Sequence, residues 1–209
     1  IAGAAVSIFR STLYTRYRIK TQPPAYRPHV LIISHLINKS HLQSNTDFYF
    51  GNLSDELELA NIKTHTVLIN HCRINSSQLS LLNRPNTSVL PAFFTPFREI
   101  KHLARLLYAA ISLPKCSLAS TNIRFYRLAK VAQFSSRAIG DYRIGKMLAK
   151  NIEIMKPSIV IHTFEGHGWE KIATASAHSL PITAHVIAYQ HAILSPGKKS
   201  IYSDHGGET

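Results

Sequence analysis

An α/β fold, a parallel sheet doubly wound by helices, is predicted by two features of this 209-residue chain. The runs His29–Leu36 (HVLIISHL) and Ser158–Phe164 (SIVIHTF) are continuously apolar rather than alternating and rich in β-branched residues, as strands buried on both faces are. Around them, strand-like segments alternate with segments of three-to-four periodicity, the order that β-α-β crossovers impose.

The elements follow in turn. Gln22-Pro23-Pro24 punctuates before the first strand, and a polar loop follows it. A helical pattern then covers about Asp47 to Ala60: Phe50, Leu53, Leu57 and Ala60 share a face, and Asp55, Glu56 and Glu58 lie off it. Asn61 stops this helix, and Thr64–Asn70 is the second strand. Ser76–Asn83 reads as a short helix and Ser88–Phe93 as a third strand. Phe97–Ile111 is a strong amphipathic helix, with Phe97, Ile100, Leu103, Ala104, Leu107, Tyr108 and Ile111 as the stripe; Pro114 ends it. Residues 122–151 are mostly helical with a break at Gly140, and Arg124, Arg127, Lys130 and Arg137 lie largely off the apolar stripe. After Pro157 come the strand 158–164, the tight loop Glu165-Gly166-His167-Gly168, a helix over Trp169–His178, and a last strand over Ile182–Tyr189. The expected organisation is a basic N-terminal segment (1–28), one domain (29–205), and at 206–209 a Gly-rich turn read as the start of an interdomain region in a longer chain.

Composition limits the function classes. Lys and Arg number 24 against 11 Asp and Glu, a net charge of +13, so anionic lipid, nucleic acid and phosphorylated substrates are candidate partners. Between Arg98 and Lys150 basic residues interleave with Phe97, Tyr108, Phe125, Tyr126, Phe134 and Tyr142; a solvated basic face over core aromatics and a surface for lipid headgroups are the two readings. No run of eighteen apolar residues occurs, and Ile1–Phe9 lacks the charged leader of a signal peptide. Two cysteines, Cys72 and Cys116, favour a reducing compartment over a disulfide framework. The expected location is cytoplasmic, peripheral on the inner face of the plasma membrane.

Ligands of open parallel sheets bind outside the carboxyl ends of the strands. Three such ends carry chemistry here: Ser34-His35, the loop Glu165-Gly166-His167-Gly168-Trp169-Glu170, and Tyr189-Gln190-His191 with Ser195-Pro196 beyond it. In the middle loop a carboxylate and an imidazole sit within three residues, and either could serve as a general base toward a hydroxyl. The loop opens a helix, whose amides favour an anion. Glu170 is also the acid expected in any first helical turn, and Trp169 is either a core anchor or a stacking platform. Gln190 and His191 suit hydrogen bonding to a polyhydroxyl ligand. Histidine is frequent, but His162/His167 and His185/His191 lack metal-site spacing, the cysteines form no C-x-x-C, and the chain carries no P-loop, nucleophile elbow or complete dinucleotide fingerprint. No metal is expected.

The pattern Phe164-Glu165-Gly166-His167-Gly168-Trp169-Glu170-Lys171, followed some twenty residues later by Val186-Ile187-Ala188-Tyr189-Gln190-His191-Ala192-Ile193-Leu194-Ser195-Pro196, resembles a family of bacterial surface-polysaccharide glycosyltransferases, as does Phe48-Tyr49-Phe50-Gly51-Asn52-Leu53 upstream. Ala188 departs from the glycine that the family carries before Tyr-Gln-His. The resemblance implies the N-terminal, acceptor-side half of a GT-B architecture, built of two Rossmann-like halves around a cleft. Taken with the strand-end chemistry, this reading makes Glu165 or His167 the catalytic base, and Trp169, Glu170, Gln190, His191, Ser195 and His35 substrate-binding residues. It implies a nucleotide-sugar co-substrate held mainly by the other half, no resident cofactor, and a glycan or lipid-linked acceptor. Alternatives are a non-catalytic basic module for nucleic acid or an anionic membrane surface, although no nucleic-acid-binding signature occurs, and an inactive truncated homologue.

Overall fold

A computed structural model describes residues 9–12, 24, 26–112 and 135–190. Its centre is a five-stranded, all-parallel sheet: β1 (Val30–Leu36), β2 (Thr64–Asn70), β3 (Thr87–Val89), β4 (Ile159–Thr163) and β5 (His185–Tyr189), in the order β3-β2-β1-β4-β5. The helices are α1 (Leu53–Leu59), α2 (Ser76–Leu79), α3 (Pro96–Ser112), α4 (Ser136–Met155) and α5 (Gly168–His178). This is the expected doubly wound, Rossmann-like α/β arrangement.

Every residue of β1 and β2 is buried, the polar Ser34, His35, Thr64, His65, Thr66 and Asn70 included. Leu31, Ile33, Val67, Ile69 and Val160 face Leu148 and Ile152 of α4 and Trp169, Ala173 and Ala177 of α5. A smaller core of Leu36, Leu68 and Val89 with Leu42 and Ile74 lies apart from it, with Leu79 packed against it. Helices α4 and α5 approach closely because residue 145 is glycine: a Cβ there would lie 2.8 Å from the Cβ of Ile172.

Several boundaries differ from the sequence reading. The helix expected from Asp47 begins only at Leu53. Asp47 instead pins a turn: its Oδ1 accepts from the amides of Tyr49 and Phe50 and from the hydroxyl of Ser34, and its Oδ2 pairs with Arg84 at 3.0 Å. Gly51 closes the turn in the left-handed region at φ 57°. Helix α4 runs through Gly140 without a break and ends at Lys156, left-handed at φ 46°, before Pro157. The expected helical stretch 122–134 lies outside the described residues. On α3 the apolar stripe faces solvent: Phe97, Ile100, Leu107, Tyr108 and Ile111 are exposed. The opposite face is held instead by polar contacts. Buried Glu99 accepts from Nε and Nη2 of Arg143 on α4 and from the amide of Phe94, and His102 stacks on Tyr142.

Candidate active site

The chain runs outward from β1 to β3, then returns across β1 to form β4 and β5. The strand order therefore reverses between β1 and β4, the position at which open parallel sheets bind ligands at their carboxyl ends. His35, the penultimate residue of β1, spans this point. Its Nε2 lies 2.8 Å from Oγ1 of Thr163 at the end of β4, and its Nδ1 lies 2.8 Å from Nε2 of His71, the residue after β2. Tyr49, carried by the Asp47 turn, leans on the His35 ring with centroids 5.1 Å apart. Burial raises the Tyr49 pKa, and the nearby carboxylates of Glu165 and Asp47 raise it further.

The loop after β4 delivers the other half of the cluster. His167 Nε2 stands 3.3 Å from Oε2 of Glu165, and Nη2 of Arg137 stands 3.3 Å from His167 Nδ1. A guanidinium only donates, so Nδ1 of His167 accepts and Nε2 carries the proton that faces Glu165. Both ring nitrogens are thus engaged, and of this pair Glu165 is the group equipped to take a proton. The loop also reaches toward His71: burial lowers the His71 pKa, a charge on His167 lowers it further, and Glu165 opposes them.

Glu170 and Trp169 are both taken up by the fold itself. Glu170 is 1% exposed, and its two carboxylate oxygens accept from the amides of Glu165, Gly166 and His167. The next amide, that of Gly168, donates to Asp141 Oδ2 at 3.1 Å. These four amides, three of the loop and the first of the helix, are occupied by the protein's own carboxylates, and Glu170 acts as a clamp on the loop. Trp169 is also 1% exposed, buried against His35 and His162 with His167 over it, so it anchors the core and offers no face to a ligand.

Gln190 follows β5, whose last residue, Tyr189, accepts at its carbonyl from the amide of Phe164 at 2.8 Å. The ends of β4 and β5 thus stand side by side, with Tyr189 against Phe50 of the Asp47 turn. His191 and Ser195 lie outside the described residues. Sequence reasoning named His35, Glu165 and His167 but missed His71, Thr163, Tyr49 and Arg137. The first two occupy strand carboxyl ends, so the rule that singled out His35 applies to them too; Arg137 is brought in by helix packing and left no local signal.

Beside the cluster lies a cleft of about 320 Å³ at the ends of β2 and β3, walled by α4. His71 belongs to both. Arg10, Arg73 and Arg143 line it together with Phe93, over whose ring the Arg143 and Arg73 guanidinium carbons sit 5.0 and 6.0 Å from the centroid. Arg143 is neutralised by Glu99, whereas no carboxylate pairs with Arg10 or Arg73 among the described residues. The N-terminal segment therefore contributes to the domain through Arg10. Among the described residues no group of three or more His, Cys, Asp or Glu is arranged to hold a metal ion, and no helix is long and apolar enough to cross a membrane. No family model, curated protein or solved structure matches the chain.

Proposed function

We propose that the chain is the acceptor-side half of a GT-B glycosyltransferase, moving a sugar from a nucleotide-sugar to a surface-polysaccharide or lipid-linked acceptor. The observation that carries this reading is the Arg137–His167–Glu165 chain at the strand-order reversal, beside a cationic cleft that shares His71 with it. Glu165 takes the proton of the acceptor hydroxyl. The hydroxyl oxygen then bonds to the anomeric carbon, and the bond from that carbon to the donor diphosphate breaks with its electron pair leaving on the diphosphate. Arg137 holds His167, and His167 holds Glu165 in the orientation the transfer needs. Arg10 and Arg73 suit an acceptor that carries phosphate or carboxylate. The peripheral, cytoplasmic-face location belongs to the same proposal.

The test is transfer of label from a panel of nucleotide-sugars to host membrane extract by the full-length protein. Transfer is expected, with Glu165→Gln reducing turnover about 10²-fold or more at unchanged melting temperature. Absence of transfer from every donor, or near-normal turnover in both Glu165→Gln and His167→Ala, overturns the assignment.

A further inference from the structure

Helix α3 divides its circumference into three sectors. Successive residues step by about 100° around the axis. Glu99, His102 and Leu106 form one sector and are buried against the domain. Phe97, Ile100, Ala104, Leu107, Tyr108 and Ile111 form a second sector, roughly 100° wide, that faces solvent. Its members are not grazing the surface: Phe97 is 75% exposed, Tyr108 72% and Ile111 67%. Arg98, Lys101 and Arg105 form the third sector, alongside the apolar one and equally exposed. The helix's acid, Glu99, is buried and consumed by Arg143.

A soluble surface rarely carries a contiguous apolar stripe of this kind without an occupant. The basic row along its edge says which occupant fits. A second copy of this chain would bring Arg98, Lys101 and Arg105 toward an identical cationic row on a molecule of net charge +13. An anionic bilayer answers both sectors at once, taking the apolar side chains among the acyl chains and the cations at the headgroups. Tyr108 suits that boundary, with an apolar ring and a polar tip.

We infer that α3 is an in-plane membrane anchor, which seats the domain on anionic lipid with the Phe97–Ile111 stripe inserted and Arg98, Lys101 and Arg105 on the headgroups. The inference does not depend on the glycosyltransferase reading. Arg143 links α3 to the helix that walls the cationic cleft, so the anchor sets that cleft near the lipid surface.

Flotation of the full-length protein with phosphatidylcholine vesicles, alone and with one-third phosphatidylglycerol, tests it. Binding is expected to the anionic vesicles, weakening as salt rises. Leu107→Glu with Ile111→Glu should reduce the bound fraction at least tenfold without lowering the melting temperature, because both residues face solvent. Arg98→Glu with Lys101→Glu and Arg105→Glu should reduce binding to anionic vesicles by a similar factor. The inference is overturned if the protein ignores anionic vesicles at low salt, or if neither variant changes binding. It is equally overturned if Leu107→Glu with Ile111→Glu lowers the melting temperature as a core substitution does, or converts a wild-type dimer to monomer, since the face is then covered by protein.

Discussion

Nδ1 of His35 and Nε2 of His71 meet at 2.8 Å across 36 positions of sequence, with the rings only 19° from parallel. A hydrogen bond between two imidazole nitrogens needs one ring to donate and the other to accept, so the contact holds a single proton. Two imidazolium rings would oppose N–H to N–H across the same gap.

Beyond this contact, the surroundings of His71 set the direction in which it titrates. Burial lowers its pKa, positive charge on His167 lowers it further, and Glu165 pushes the other way. A proton NMR titration should therefore place the His71 midpoint below the ordinary value of about 6.5. His167→Gln should move it up and Glu165→Gln should move it further down. A midpoint at or above the ordinary value, or one indifferent to both substitutions, contradicts the described cluster.

The loop that presents Glu165 and His167 depends on Glu170. Its carboxylate accepts three amides while almost wholly buried. Gln at this position keeps one acceptor oxygen and turns an NH2 toward backbone N–H groups. Glu170→Gln should cost on the order of 1–3 kcal/mol in urea denaturation, and Glu170→Ala should cost more, because all three amides lose their acceptor. If both variants match the parent in stability, the clamp is not as described.

The sheet was legible in the sequence because β1, β2 and β4 each carry a short block of large or β-branched apolar residues without strict alternation, Val30–Ile33, Val67–Ile69 and Ile159–Ile161. Helix α5 was legible from helical spacing, with Ile172, Ala173 and Ala177 on one side. The Asp47 turn was not, since Phe50 and Leu53 have helical spacing, yet a side-chain carboxylate outcompetes the helix for the amides of Tyr49 and Phe50. The stripe on α3 was legible as a stripe, and its direction was left open between the core and a lipid surface. Periodicity shows that one side is apolar and not which way it points, and here the buried Glu99–Arg143 pair decides the direction. At the site, residues at strand ends could be found from the strand pattern. The core-anchor role of Trp169 was one of two readings open in the sequence, whereas the three-amide clamp of Glu170 was not legible, because burial of a loop carboxylate depends on which amides the fold brings to it.

Two glycines of α4 predict opposite effects of one substitution. At Gly145 an added methyl would meet Ile172 Cδ1 at 2.6 Å and its Cβ at 2.8 Å, and the Cβ cannot rotate away. Gly145→Ala should force α4 and α5 apart and cost about 1–3 kcal/mol. At Gly140 an added Cβ meets nothing within 4 Å, and the backbone is helical. Gly140→Ala should stabilise by roughly 0.5–1 kcal/mol through backbone entropy. Chemical denaturation of the two variants side by side measures the difference, and equal shifts would contradict the helix contact.

His65 makes stability depend on pH with a defined sign. Its ring is 4% exposed, its Nε2 lies 2.9 Å from Ser88 Oγ, and its Nδ1 is buried without a partner among the described residues. Charging that ring would strand a proton in the core, so burial lowers its pKa from 6.5 to about 4. Above about 6.5 neither the folded nor the unfolded chain protonates this site, and its contribution is fully present. Between about 6.5 and about 4 the unfolded chain takes up the proton and the folded chain refuses it, so stability falls as pH falls. One proton corresponds to about 1.4 kcal/mol per pH unit, a total near 3 kcal/mol across the window. His71, His102 and His162 are also shifted down by burial and act in the same direction. His65→Gln removes the titrating group while keeping a polar partner for Ser88. The urea-denaturation free energy of this variant should therefore fall less steeply between pH 6.5 and 4 than that of the parent, by about one proton's slope. An unchanged slope would mean that water reaches His65 and that β2 and β3 are less closely covered at this end than described.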